Sequence, residues 1–357
     1  MAAGSLALTG VVLLYTTILF LHGNLGFPVG LLSDYYFQVL MLAGINIIVT
    51  IGLNLINGFA GQFSIGQAGF MAIGAYVTAM LATFVIPIGM FSLPTQIVAF
   101  IGIVLVAGCA AGLVGYLVGL PSLRLKGDYL AIATLAFGEV VRSVVRASDE
   151  ISAAIAGLGL TTLAAHIEGI GGPRGFGGFP QLADLVIGPV RIPTLFTLIF
   201  TSVVLSVVLV RNLVYSSYGR AWLSVRSNEL AAEIMGVNST RAKVLAFILS
   251  GFLAGVGGGY FAFVIRFLHP DSFSFLKSIE YLIFLYAGGA ASLSGSIVAP
   301  GALTILPEFL RVAGFDQWRL VVYPILLISI MLWRPSGLMG DREFRFLENR
   351  RGVRDAS

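Results

Sequence analysis

The stretch RSNELAAEIMGVNSTRAK (residues 226–243) is a polar segment between two apolar runs, residues 193–211 and 244–266. A helix needs roughly 20 apolar residues to cross a bilayer, and both runs are close to that length. The polar segment therefore predicts a loop outside the membrane that joins two membrane-spanning helices. The rest of the chain extends this pattern to an all-α, polytopic membrane protein.

Composition supports the same fold class. Of the 357 residues, 57% are hydrophobic and only 11% are charged, whereas soluble domains carry about 25% charged residues. A soluble fold of this size cannot bury that much apolar surface. The net charge of +4 comes from basic residues scattered among loops and not gathered on one face, which excludes a nucleic-acid-binding protein.

Apolar runs recur along the whole chain. Eight predicted spans cover residues 5–21, 36–57, 60–83, 96–119, 128–145, 193–211, 244–266 and 317–333. The apolar region 278–310 is too long for one span and is interrupted by AGGAASLSGS (residues 287–296). We interpret it as two short helices, 278–289 and 296–310, joined by a bend, which gives about ten transmembrane or half-spanning helices.

Orientation follows from the basic residues of short loops, which favour the cytoplasm. Placing both termini inside puts most Lys and Arg residues on that side, including those of loop 212–243. Residues 1–20 lack Lys and Arg, so they predict a retained first span and not a signal peptide. We expect one permease domain (1–340) with an outer loop at 147–192, followed by a polar cytoplasmic tail (341–357).

Within the 226–243 stretch, helical periodicity is clear. Leu230, Ile234 and Val237 fall at i, i+4 and i+7 and predict an apolar stripe. Ser227 or Asn228 can cap the start of this helix, and glycine 236 suits the left-handed position that ends one. The polar face carries two carboxylates, which anionic lipid does not attract. The pattern therefore favours docking into a protein groove over an interfacial helix resting on lipid.

The segment Ser217 to Ala262 resembles the coupling-loop region of bacterial branched-chain amino acid ABC transporter permeases of the LivM type. In that family this helix docks into a groove of a cytoplasmic ATPase and transmits its closure. A Glu, paired Ala residues and a Gly match the motif, and two arginines are placed to pair with acidic groups of the ATPase. The predicted coupling residues are Arg220, Arg226, Glu229, Ala231, Ala232, Glu233 and Gly236.

The resemblance covers most of the chain. Further blocks similar to the family are Gly52 to Tyr76, Leu123 to Glu139, Pro270 to Gly289 and Leu332 to Gly340. Two departures are Gln67, where many members have His, and Ala290, where Gly is usual. The resemblance implies a bacterial inner-membrane importer that moves branched-chain or other hydrophobic amino acids by alternating access. Its implied partners are a LivH-like second permease, two cytoplasmic ATPases and a periplasmic substrate-binding protein.

The Gly52 to Tyr76 block mixes glycines with polar side chains inside an apolar run. Irregular backbone at membrane depth is tolerated only where protein or a water-filled cavity covers it. The block therefore predicts part of a translocation path in which amide and hydroxyl groups replace water around a zwitterion. The candidate residues are Asn54, Asn57, Gln62, Ser64 and Gln67. For each single residue, hydrogen bonding between helices is the competing explanation.

The outer loop 147–192 contains GGPRGFGGFP (residues 171–180), a density of Gly and Pro that is typical of turns. We predict that this loop docks the binding protein through His166, Glu168 and Arg174. Glu139 with Arg142, and Glu308 with Arg311, stand three residues apart near span ends, as local ion pairs or as side chains that snorkel to the interface. The small-residue series Gly251, Gly255, Gly259 and Gly108, Gly112 predicts close helix packing, either within this chain or against a second permease.

No catalytic or energising motif is present in the sequence. There is no G-x-x-x-x-G-K-[ST] phosphate loop, and the three lysines, Lys126, Lys243 and Lys277, do not follow glycines. We therefore predict no enzyme activity, no cofactor and no metal site, with ATP hydrolysed by partner subunits. Two alternatives stay open: a stand-alone secondary transporter or channel for small polar solutes, or an importer of urea, amides or aromatic acids.

Overall fold

The computed structural model describes residues 34–87, 89, 91–122, 128–157, 169, 171–180, 182–187, 190–312, 325, 328, 332–334, 336–340, 343, 344 and 347. The described chain is dominated by helices. These are α1 (Asp34–Asn54), α2 (Gln67–Met80), α3 (Leu93–Ser122), α4 (Asp128–Arg146), α5 (Ser148–Gly157), α6 (Thr194–Val214), α7 (Ser217–Ser227), α8 (Glu229–Ile234), α9 (Ser239–Ile265), α10 (Phe275–Gly288) and α11 (Gly295–Val312).

Five helical segments within the described residues are long and apolar enough to cross a membrane. They are Tyr35–Phe59, Gln67–Val85, Leu93–Leu120, Thr194–Val214 and Ser239–Ile265. Each overlaps a span predicted from the sequence, which confirms the multi-pass, all-helical fold. The first two end in one turn of π-helix, at Leu55–Phe59 and Leu81–Val85.

Two other predictions, the pair of short helices and the span 128–145, agree with the observed helices. Two further predicted spans cannot be compared with the structure. Helices α10 and α11 correspond to the predicted pair 278–289 and 296–310, with a bend at residues 289–294 between them. Helix α4 matches span 128–145. The predicted span 5–21 lies outside the described residues, and so does most of span 317–333.

The predicted span 60–83 begins later than expected. Residues 61–66 are not helical, and the helix starts at Gln67. Gly61 has a φ of +66°, a left-handed conformation that ends a helix and that glycine adopts without a side-chain clash. The glycine-rich block thus interrupts the helical backbone, as its composition predicted.

The chain divides into two compact units, each described separately. The first contains residues 1–61, 184–242 and 282–357. In it, α1 packs against α6 and α11. Phe37 meets Phe196 edge to face, with ring centroids 5.6 Å apart, and a Cβ on Gly44 would lie 2.8 Å from Ile199 Cγ2. Strands β2 (Leu185–Ile187) and β3 (Val190–Ile192) form an antiparallel hairpin in this unit.

The second unit contains residues 62–183 and 243–281. Here α2 packs against α3 and α4, and strand β1 (Phe176–Gly177) pairs antiparallel with β4 (Phe267–Leu268). The small-residue series on α3 and α9 face each other: a Cβ on Gly251 would meet the Ala111 carbonyl oxygen at 2.7 Å. The predicted close packing is therefore between helices of this chain, and helix α9 also meets α2, where a Cβ on Gly74 would lie 2.1 Å from the Gly255 carbonyl oxygen.

Candidate functional site

Loop 212–243 folds into two short helices whose base is anchored. Ser216 caps α7 by accepting a hydrogen bond from the Tyr218 N–H at 3.2 Å. Trp222 is fully buried, and its indole Nε1 donates to the Ala242 carbonyl oxygen at 2.8 Å. Because buried indole nitrogens need an acceptor, this bond fixes α7 against the first turn of α9. We call this folded loop, residues 212–243, the projection, and α8 is its exposed end.

Helix α8 is capped at both ends by its own residues. Of the two predicted caps, Ser227 and Asn228, the structure uses Asn228, whose side chain accepts from the Ala231 N–H at 3.1 Å. At the other end the Gly236 N–H donates to the Glu233 oxygen at 2.9 Å, and the Val237 N–H donates to the Ala232 oxygen at 2.9 Å. This pair is the Schellman arrangement, which places a left-handed residue after the helix, and Gly236 has a φ of +86°.

The exposed apolar face of α8 consists of Leu230, Ile234 and Met235. Their exposed fractions are 66%, 86% and 82%. Ala232 points the other way and is buried. The predicted stripe was wrong in one residue: Val237 is half-buried, because the left-handed turn at Gly236 takes it off the helical register. Met235, which the periodicity missed, extends the face instead.

The predicted charged residues lie on α7 and α8 of the same loop. Arg220, Arg226 and Glu233 are exposed, while Glu229 is half-buried. Glu233 accepts a short hydrogen bond from the Ser239 hydroxyl, which ties the end of α8 to the start of α9. Arg220 Nη2 donates to Ser217 Oγ at 3.0 Å.

Arg226 connects this projection to the end of α1. The aliphatic stem of Arg226 lies over Gly61, where an added Cβ would come within 2.7 Å of Arg226 Cγ. Tyr286 on α10 lies near the Arg226 charge and forms a side-chain hydrogen bond with Asn57, one of the predicted path residues. The base of the projection thus touches the irregular end of the first described span.

Asn54 holds the bend between α10 and α11. It is fully buried, and its Nδ2 donates to the Ser292 carbonyl oxygen at 2.9 Å and to Ser296 Oγ at 2.8 Å. Its Oδ1 accepts from the Ala291 N–H at 2.9 Å. These bonds give Asn54 a structural role at this bend. Asn54 and Asn57 belong to the first unit, whereas the other three predicted path residues belong to the second.

In the second unit, side chains from distant helices support the non-helical backbone at 61–66. The Ile65 N–H donates to Thr134 Oγ1 at 3.0 Å, and the Ala68 N–H donates to Ser278 Oγ at 3.1 Å. Gln67 is fully buried and accepts from Ser250 Oγ at 3.1 Å. Ser64 is also buried and Gln62 is half-buried. Sequence reasoning missed Thr134, Ser250 and Ser278, because each lies in an ordinary apolar run far along the chain.

Of the outer-loop predictions, only Arg174 lies within the described residues; His166 and Glu168 do not. Arg174 is exposed at the end of a short 3₁₀ turn, Gly172–Arg174. The predicted Glu139–Arg142 ion pair is present, with 2.7 Å between Oε2 and Nη1. It extends to Asp271, whose Oδ1 lies 3.1 Å from Arg142 Nη2 and 2.6 Å from Arg146 Nη2.

Comparison with known proteins decides the family. Residues 35–331 match the model of the branched-chain amino acid transport system / permease component. This chain belongs to that permease family. It is 33% identical over 308 residues to the high-affinity branched-chain amino acid transport system permease protein LivM of Escherichia coli, covering 85% of this chain and 69% of the relative. The LivM protein of Salmonella typhimurium is 33% identical over 306 residues, covering 83% and 68%.

The second type of permease in these systems is a more distant relative. The LivH protein of Escherichia coli is 24% identical over 318 residues, covering 86% of this chain and 97% of the relative. No solved structure matches the permease described here. The family and the five apolar helices together establish a multi-pass membrane permease.

One substitution tests the role of Asn54 in this permease. Asn54→Ala is expected to lower the free energy of unfolding by roughly 2–4 kcal/mol, because buried backbone groups at the bend lose their partners. Thermal denaturation of the purified chain in detergent measures the loss. Asn46→Ala is the matched control on the same helix, since the Asn46 amide donates to Thr304 Oγ1 away from the bend. Equal destabilisation by both substitutions would contradict the assignment.

Proposed function

We propose that this chain is the permease subunit of an ATP-driven importer that moves branched-chain and other hydrophobic amino acids into the cytoplasm. The family match and the names of the LivM relatives support the substrate class. One structural observation carries the ATP-driven part: a short helix, capped at both ends, presents an apolar face on a folded projection. An autonomous transporter has no need of such a projection.

In this proposal α8 is a coupling helix that docks into a groove of a cytoplasmic ATPase. The chain has no phosphate loop of its own, so energy must come from partner subunits. ATP-driven closure of the ATPases moves α8, and the membrane helices then alternate between outward and inward access. A lever of this kind works only if its docked helix interacts differently with the two states of its partner.

The exposed side chains of α8 indicate what the ATPase groove must offer. Leu230, Ile234 and Met235 form the end of the projection, so the groove is mainly apolar and the contact resembles an amphipathic helix in a hydrophobic groove. Arg220, Arg226, Glu229 and Glu233 surround this contact and set its orientation. In this proposal Arg226, whose stem lies over Gly61, carries movement of α8 to the chain that follows the first described span.

The family also supports the remaining partners in this proposal. Similarity to both LivM and LivH proteins supports pairing with a homologous, LivH-like second permease, and the higher identity to LivM assigns this chain to the LivM side. A periplasmic binding protein would deliver substrate to the outer loop, where Arg174 is exposed. This arrangement places both termini, loop 212–243 and two ATPases on the cytoplasmic side of a bacterial inner membrane.

Reconstitution tests the function. The chain is purified together with a LivH-like permease, an ATPase and a substrate-binding protein from the same organism and placed in lipid vesicles. We expect uptake of labelled leucine that requires hydrolysable ATP and every component. Parallel assays use urea, acetamide and benzoate.

Three outcomes would contradict the proposal. Uptake by this chain alone, driven by an ion gradient, would make it a secondary transporter. Leucine flow in the absence of any energy source would make it a channel. ATP-dependent uptake of urea, acetamide or benzoate without leucine would keep the importer but replace its substrate class.

A further inference from the structure

The C-terminal segment is bound to both sides of the bend between α10 and α11. We call its described residues Leu338, Met339, Glu343, Phe344 and Leu347 the strap. The N–H groups of Leu338 and Met339 donate to the last carbonyl oxygens of α10, those of Ala287 at 2.7 Å and Gly288 at 3.2 Å. Carbonyl groups at a helix end lack partners within the helix, and the strap supplies them.

Glu343 supplies the other side of the bend. Its Oε1 accepts from the Leu293 N–H at 2.7 Å, and its Oε2 accepts from the Ser294 N–H at 3.0 Å and from the Ser294 hydroxyl. The Phe344 N–H in turn donates to Ser294 Oγ at 2.8 Å. Leu293 and Ser294 are buried, and they directly precede α11, where a carboxylate also complements the helix dipole.

The far end of the strap is attached to α6. Leu347 is 2% exposed, and its carbonyl oxygen accepts from Arg211 Nε at 3.0 Å. Arg211 lies in the last turn of α6, and the chain continues from there directly into α7 and α8. The strap therefore connects the helix that carries the projection to the bend that Asn54 also holds.

We propose that the strap transmits movement of the α6–α8 arm to the α10–α11 bend, with Glu343 as the positioning residue that keeps the two together. The proposal rests on the coupling function proposed for α8. Loss of an interaction that only stabilises the fold lowers the amount of active transporter. Loss of an interaction that transmits movement has a different effect, because the ATPase then hydrolyses ATP without moving the bend.

The experiment compares Glu343→Gln with Glu348→Gln in the complete transporter in lipid vesicles. Both substitutions remove one negative charge from the tail, but only the first removes the carboxylate that accepts from Leu293 and Ser294. Leucine uptake and ATP hydrolysis are measured on the same vesicles. We expect Glu343→Gln to lower the amount of leucine moved per ATP by about fivefold or more, with ATP hydrolysis largely retained. Glu348→Gln, a change of the same charge outside the described residues, measures how much of any fall comes from the lost charge alone.

Arg211→Gln tests the other attachment. It is expected to lower the same ratio, and the double substitution is expected to lose no more than the larger single loss, because both break one link. An unchanged ratio in Glu343→Gln, or an equal fall in Glu348→Gln, would overturn the strap proposal alone. The absence of ATP-dependent uptake in the wild-type complex would instead overturn the proposed function, and the strap proposal with it.

Discussion

Gly74→Leu is expected to leave little folded permease in the membrane. Helices α2 and α9 approach so closely at this point that a Cβ on Gly74 would lie 2.1 Å from the Gly255 carbonyl oxygen and 2.4 Å from Gly255 Cα. Both atoms belong to the backbone, so the helices must separate to accept any side chain. Separation also affects Gly258, where a Cβ would lie 2.0 Å from the Met71 carbonyl oxygen.

We expect Gly74→Leu to lower the free energy of unfolding by at least about 3 kcal/mol. Overpacking alone costs up to that amount, and the neighbouring close contacts are lost as well. Membrane helices associate largely through such close packing of small residues. Size-exclusion chromatography of detergent extracts after graded heating measures it. Gly102→Leu is the matched control, because nothing lies within 4 Å of a Cβ at this position on α3. A Gly74→Leu chain that withstands heating as well as Gly102→Leu would contradict the prediction.

Local sequence patterns predicted most of the helices, because each apolar run reports its own length and its own breaks. The Gly and Ser residues at 287–296 predicted the bend, and Ser227 or Asn228 predicted a helix start. Both predictions needed only residues that are neighbours in the sequence. Periodicity failed at Val237, because the left-handed Gly236 before it shifts the chain out of the helical register. That shift changes which side chain completes the exposed apolar face.

Contacts between distant residues could not be predicted in this way. The spacing of Gly251 and Gly255 indicates a packing face, but only the fold shows that α3 occupies it. Thr134 and Ser278 support the backbone near Gln67 from 69 and 210 residues away along the chain. Glu343 carried no local signal, since one carboxylate in a charged tail looks like any other until the bend folds against it.

If α8 docks into an ATPase as proposed, Ile234→Asp is expected to abolish copurification of that ATPase with this permease. The Ile234 side chain is 86% exposed, so the substitution leaves the fold of the projection intact and changes only what it presents. Burying an isoleucine contributes about 1.5–3 kcal/mol, and placing a carboxylate in an apolar groove adds a desolvation cost. A loss of at least about 3 kcal/mol corresponds to roughly 150-fold weaker binding, which a titration of labelled ATPase onto the permease in lipid nanodiscs measures.

The salt dependence of binding distinguishes docking through the apolar face from docking through the charged residues. Ion pairs that Arg220, Arg226, Glu229 and Glu233 would form with an ATPase weaken as salt rises, because the screening length shrinks from about 10 Å at 0.1 M to about 3 Å at 1 M. Contact through Ile234 and Met235 does not weaken in this way. We expect wild-type binding to persist at 1 M salt. Leu223→Asp, on α7 of the same loop, is the matched control for an added carboxylate at an exposed apolar position.

Two results would contradict the docking face. One is ATPase binding by Ile234→Asp as tight as that of Leu223→Asp. The other is release of the wild-type ATPase by salt, which would transfer the contact to the charged residues. The second case leaves the proposed docking through α8 possible, because Glu229 and Glu233 lie on the same capped helix as the apolar face. What would change is the partner groove, from an apolar surface to a charged one, and with it the residues that an ATPase must supply.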